Sequence, residues 1–144
     1  MKLEDVENLW SIDCKINRTE LDGESLKIPE LHNKYYKIYI REKVQMKSEE
    51  NEYNELYKVK WEYYNGKMDK AELDARGWEQ FPLILNKDLN TYISADKDII
   101  QKLLKLTLQR EKVEFLESII KTLATRGFLI KNAIEFIKFN NGTH

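Results

Sequence analysis

From Glu30 to Asn65 the chain runs through 36 residues without a glycine or a proline. Pro29 in front is tolerated in a first helical turn, where its missing N–H is not required. Asn65-Gly66 behind supplies a stop. One uninterrupted helix follows, about 54 Å long at 1.5 Å per residue. That is too long for a compact monomer of this size unless the helix projects or packs against other copies. Its middle, Lys47-Ser48-Glu49-Glu50-Asn51-Glu52, holds no apolar residue and reads as a solvated arm rather than core.

A second long helix is predicted from about Ala95 to Arg126. Ser94 offers an N-cap, and Asp96 and Asp98 fall in the first turn, where the helix dipole favours negative charge. Ile99, Leu103, Leu106, Val113, Leu116, Ile120 and Leu123 recur at three- and four-residue steps as a packing seam, which Arg110 interrupts. Gly127 follows the last basic residue and suits a left-handed C′ position. Phe128, Leu129, Ile130, Ala133, Ile134, Phe136, Ile137 and Phe139 then form another apolar run. The expected result is a C-terminal helical hairpin with more apolar surface than two helices hide, hence an element that joins copies. Leu103, Leu116, Ile120, Leu123, Phe128, Ile130, Ile134 and Ile137 are its candidate interface residues.

The remainder is shorter. Leu3, Val6, Leu9, Trp10 and Ile12 fit a short amphipathic helix, and Asp22-Gly23 marks a break. Residues 66–93 read as irregular, with a short helix near Lys70–Ala75. Phe81-Pro82-Leu83-Ile84-Leu85 reads as an extended, packed connector, since an isolated strand would leave its hydrogen bonds unpaired. With 34% charged residues, five Gly and two Pro, the composition favours an all-α fold of long helices.

The net charge of −1 conceals an alternation: −4 over residues 1–24, +2 over 25–67, −3 over 68–98 and +4 over 99–144. Both acidic and basic surfaces follow. A near-neutral monomer grips nucleic acid weakly, because that grip depends on neutralising phosphates; several copies in one oligomer remedy this by avidity. The lone Cys14 forms no internal disulfide, which fits a reducing compartment. No N-terminal apolar stretch reaches the length of a leader or a membrane span, so a soluble, cytosolic protein without membrane contact is expected. Asn141-Gly142-Thr143 fits a glycosylation acceptor but reads as a frayed tail.

Catalytic chemistry finds no constellation. His32 and His144 are the only histidines, one cysteine completes no metal set, and no glycine loop cradles a phosphate. No enzyme, metal or cofactor is expected. Tyr57-Lys58-Val59-Lys60-Trp61-Glu62-Tyr63-Tyr64 is the most suggestive stretch, and it supports two readings. In one, aromatic faces stack on bases while ammonium groups meet phosphates; in the other, Tyr57, Trp61 and Tyr64 pack as core and the lysines are solvated. Composition alone favours packing. Tyr35, Tyr36 and Tyr39 with Lys34, Lys37, Arg41 and Lys43 make a second mixed patch, where packing is favoured more strongly.

Four pieces together carry a resemblance: Lys2-Leu3-Glu4-Asp5, Lys58-Val59-Lys60-Trp61-Glu62-Tyr63-Tyr64-Asn65-Gly66, Ile93-Ser94-Ala95-Asp96-Lys97-Asp98 and Arg126-Gly127-Phe128-Leu129-Ile130-Lys131. In this order and spacing the chain resembles the UvsY family, recombination mediators of T-even-type phages. The resemblance implies a non-catalytic accessory protein of the host cytoplasm that binds single-stranded DNA as a ring-like homo-oligomer of about six or seven copies. It implies help for a RecA-like phage recombinase in displacing the phage single-strand-binding protein. The family's basic pair carries over to Lys58 and Lys60, with Trp61, Tyr63 and Tyr64 beside it as candidate DNA contacts. The second member is lysine where the family pattern also admits arginine, which removes bidentate phosphate contact there. Residues 1–93 are then expected to bind DNA and partners, and 94–144 to oligomerise. Residues 66–93 fit the family less well. A helical scaffold joining replication proteins without touching DNA is the alternative.

Overall fold

The structure, a computed structural model, describes residues 1–142; Thr143 of the acceptor pattern and His144 lie outside the described residues. Six α-helices and one short 3-10 turn make an all-α protein, with no strand among the described residues. They are α1 (Leu3–Asp13), α2 (Leu21–Leu26), α3 (Ile28–Tyr64), α4 (Lys70–Arg76), the 3-10 turn Asn86–Asp88, α5 (Leu89–Ala95) and α6 (Lys97–Asn140). No helix among the described residues is long and apolar enough to cross a membrane.

The unbroken stretch does form one helix of 37 residues, and Asn65-Gly66 stops it. Gly66 turns left-handed at φ 71°. The Lys67 N–H then bonds the Glu62 carbonyl at 2.9 Å and the Gly66 N–H bonds Tyr63 at 3.2 Å, closing the helix as a Schellman motif.

Several expectations are corrected. Gly127 does not break the second long helix: α6 runs through it for 44 residues, so the C-terminal hairpin does not exist. Gly23 sits inside α2 rather than at a break. Ser94 belongs to α5, and Asp96 caps α6 instead, its Oδ1 accepting from the N–H groups of Asp98 and Ile99 at 2.9 and 3.1 Å. The Lys47–Glu52 stretch is not wholly solvated, because Glu49 is buried.

The chain forms two compact units interleaved in sequence, one from Met1–Val44 with the stretch from Gln109 onward, the other from Gln45–Leu108. A division at residue 93 does not follow this packing, because α3 and α6 each contribute a segment to both units. In the first unit Val6, Tyr35, Leu116, Ile119 and Leu123 make the core, with Leu9, Trp10, Leu31, Ile38, Tyr39 and Phe115 packed on it. On α6 the buried residues Leu116, Leu123 and Ile130 recur every seven positions, as in a coiled-coil seam. The polar interruption is Gln109, not Arg110: its side-chain amide donates to the carbonyl and the carboxylate of Glu42 at 2.9 and 2.7 Å.

Those three α6 residues are therefore spent inside the chain's own core and offer nothing to another copy. Ile120 and Ile134 are half-buried, while Leu103, Phe128 and Ile137 remain exposed. The second unit centres on Leu89, Ile93 and Ile99, with Tyr53, Leu56, Tyr57, Trp61, Tyr64 and Ile84 against them. Residues 78–85 form neither helix nor strand.

Candidate nucleic-acid interface

The basic pair sits in the last turns of α3, where the two lysines point to opposite sides of the helix. Their fates differ. Lys58 projects into solvent and meets no carboxylate among the described residues. Lys60 is 5% exposed. Its ammonium lies 3.1 Å from Asp96 Oδ2 and 2.9 Å from Asp98 Oδ2, and 4.3 Å from the centroid of the Trp78 ring. Two carboxylates and an aromatic face saturate the three N–H directions. No phosphate reaches Lys60 without displacing one of them.

Asp96 is the hub of this arrangement. One of its oxygens caps α6; the other accepts from Lys60 and, at 2.6 Å, from the Tyr64 hydroxyl. Burial works to raise its carboxyl, but the bonds from Tyr64, the Ile99 N–H and Lys60 outweigh that and hold it below the ordinary value of 3.8. Tyr64 is pushed up, first by burial and then by its bond to the Asp96 carboxylate.

The aromatic neighbours are packed as well. The Tyr63 hydroxyl donates to the Glu79 carbonyl at 2.8 Å, and its ring meets Trp78 edge-on at 5.0 Å. Tyr64 meets Phe81 at 4.8 Å. Trp61 lies against the core with the Lys67 ammonium 4.9 Å from its ring. Tyr57, Trp61 and Tyr64 are thus packed residues, as composition favoured. Of the five residues expected to touch DNA, only Lys58 is fully presented.

Sequence reasoning missed the partners of Lys60. Asp96 and Asp98 were legible only as dipole-favoured residues opening a helix, and Trp78 only as part of an irregular segment. Nothing in a sequence marks which lysine a capping aspartate will meet.

Residues 9–143 match the family model described as the recombination, repair and ssDNA binding protein UvsY. The chain is 25% identical over 142 residues to the recombination protein uvsY of Enterobacteria phage T4, covering 99% of each chain. Its fold is similar to crystal structures of the bacteriophage T4 recombination mediator protein UvsY in two lattice types. One has a TM-score of 0.84 at 24% identity over 98% of each chain; the other has 0.83 at 24% over 96% of this chain and 99% of that one. The family match covers every element but the first half of α1: this chain belongs to the UvsY family of recombination, repair and single-stranded-DNA-binding proteins.

Proposed function

We propose that this chain is a recombination mediator. It binds single-stranded DNA and promotes loading of a RecA-like phage recombinase by displacing the single-strand-binding protein. It serves homologous recombination, repair and recombination-dependent replication in the host cytoplasm. The family match over residues 9–143 carries the reading. None of these roles requires a catalytic group or a cofactor.

Two surface features support it. Lys58 offers a cation to a phosphate. The C-terminal part of α6 exposes Phe128, Leu129, Phe136 and Ile137, an apolar load that a second copy would cover, so the assembly role of residues 94–144 is retained without a hairpin. A ring-like homo-oligomer of about six or seven copies multiplies weak contacts with DNA by avidity.

The test is retention of a labelled oligonucleotide on a filter. Retention at low salt, lost as salt rises, is the expected result. No retention at any salt would favour the scaffold that joins replication proteins without touching DNA. Replacing Phe128 and Phe136 by aspartate should convert the native assembly to smaller species in sedimentation, with helicity unchanged.

A further inference from the structure

The part of α3 that belongs to the first unit carries another basic and aromatic face, and this one is exposed. His32, Tyr36, Tyr39 and Lys43 follow at steps of four, three and four residues, so they share one side of the helix. The rings of His32 and Tyr36 are nearly parallel, 13° apart with centroids 5.5 Å apart. Tyr36 and Tyr39 follow at 6.0 Å and 34°, and the Lys43 ammonium lies 5.5 Å from the Tyr39 ring centroid. This is a column of three rings ending in a cation. Tyr39 rests its inner edge on the core, but His32 is exposed and Tyr36 is 43% exposed.

Burial does not account for the column, and neither does internal pairing. Lys37 and Arg41 stand about 100° and 140° round the helix from Tyr36, on the other flank of its exposed half; both are exposed and meet no carboxylate among the described residues. Two nearby acids are already used: Glu42 takes Gln109 and Lys112, the latter at 3.1 Å, and Asp13 takes Lys34 at 2.6 Å; Glu30 shares a groove with Lys34 and Lys37 and is exposed. Residues 34–43 hold four cations against Glu42 alone, net +3. Residues 49–62, around the family's basic pair, hold five glutamates against Lys58 and Lys60, net −3, and Lys60 is buried. In the second stretch Glu50 and Glu52 are paired with Lys47 and Lys102 and Lys58 alone projects into solvent, so phosphate is drawn more strongly to the first stretch than to the second.

We infer that the principal single-stranded-DNA contact of this chain is the exposed half of α3 from His32 to Lys43, between the ring column on one flank and Lys37 and Arg41 on the other. Bases stack on the Tyr36 and His32 rings beside Lys43, and the strand crosses the exposed half of the helix so that phosphates meet Lys37 and Arg41 on its other flank. Every base has a flat face, so such stacking tolerates any sequence but needs unpaired bases. Arg41 adds the planar, bidentate phosphate contact that the lysine at position 60 lacks. The face spans about 16 Å of helix axis, a footprint of a few nucleotides per copy. The inference rests on the reading of this chain as a single-strand-binding protein and places that activity on particular residues.

The experiment compares the full chain with Lys37→Ala/Arg41→Ala, Tyr36→Ala, Tyr36→Phe and Lys58→Ala, using fluorescence anisotropy of a labelled thymidine oligonucleotide across a salt series. The expected result is a loss of at least about ten-fold for the Lys37/Arg41 pair at low salt. Its slope of log affinity against log salt should flatten by about 1.4 per engaged copy, at 0.7 per phosphate. Tyr36→Ala should lose about five-fold or more with the slope unchanged, Tyr36→Phe should bind normally, and Lys58→Ala should fall short of the double variant. Unchanged binding by the Lys37/Arg41 pair, with the parent binding well, would overturn the inference and leave the proposed function standing. A parent that binds no oligonucleotide would overturn both. Variants that lose the oligomer while their intact copies still bind normally would mark the face as a contact between copies, which also overturns it.

Discussion

Arg76-Gly77 and Arg126-Gly127 are the same dipeptide with opposite outcomes. At Gly77 the backbone turns left-handed, φ 69° and ψ 30°, and α4 ends. The Trp78 N–H bonds the Leu73 carbonyl at 2.9 Å and the Gly77 N–H bonds Asp74 at 3.2 Å. Arg76 stays exposed, with one long ion pair to Glu72 at 3.4 Å. At Gly127 the helix continues. Arg126 is 3% exposed; its Nη1 donates to the Asp13 carbonyl at 2.7 Å, and its Nη2 to the Lys15 carbonyl at 3.1 Å and to Glu24 at 3.2 Å.

Glycine permits the left-handed turn but does not impose it. Continuing a helix through glycine costs about 1 kcal/mol. Beyond Gly127 the continued helix buries Ile130, 2% exposed, and burial of such a side chain is worth roughly 1.5–3 kcal/mol. At the matching place beyond Gly77 stands Gln80, polar and exposed, while Trp78 and Phe81 pack on Tyr63 and Tyr64 from outside the helix. The apolar register downstream decides, not the glycine.

The sharpest way to break this comparison is to remove each arginine. Arg126→Met leaves Glu24 buried without that partner and should cost about 3–5 kcal/mol in chemical denaturation. Arg76→Met removes an exposed pair and should stay within about 0.5 kcal/mol. Equal effects would dissolve the distinction between the two sites.

Acid probes the same contrast more gently. For Asp13 and Glu24 burial works to raise the carboxyls. It is outweighed by bonds and charges from Lys34 and Tyr35 in one case and from Lys27 and Arg126 in the other, so both lie below their ordinary values of 3.8 and 4.5. A carboxyl lowered on folding binds fewer protons in the native state. Its stabilisation is present above the ordinary value and is lost as pH falls through the lowered one. Melting temperature should therefore drop on acidification below about pH 4, and Arg126→Met should move that drop to higher pH, while Arg76→Met should not.

The smallest effects carry opposite signs. Gly77→Ala forces a Cβ into the left-handed region and should cost about 1 kcal/mol. Gly127→Ala places a Cβ 3.9 Å from Ile28 Cδ1, an ordinary contact, and should stabilise by roughly 0.5–1 kcal/mol. A destabilised Gly127→Ala protein in thermal melts would restore the hairpin.

Much of the fold was legible along the chain. The stretch without glycine or proline became α3, and Asn65-Gly66 ended it. A short helix expected near Lys70–Ala75 is α4. The C-terminal misreading came from judging Gly127 by its neighbour Arg126, although Ile130 and Ile137 prolong the seven-residue pattern of Leu116 and Leu123. The candidate site was less legible. Lys58 and Lys60 look equivalent in sequence, and of the two mixed patches on α3 the one from Lys34 to Lys43 reads as the more strongly packed.

Sequence alone determined the all-α class, the two long helices and the family, because helix propensity, apolar period and motif order are properties of neighbours along a chain. Tertiary structure alone decided which cations face solvent. Lys60 meets Asp96 and Asp98 across the second unit and is withdrawn from ligands, while Lys37 and Arg41 meet no acid among the described residues and stay available. A charge is removed from solvent by whatever packs beside it, and that neighbour is set by how helices fold back on one another rather than by their order in the chain.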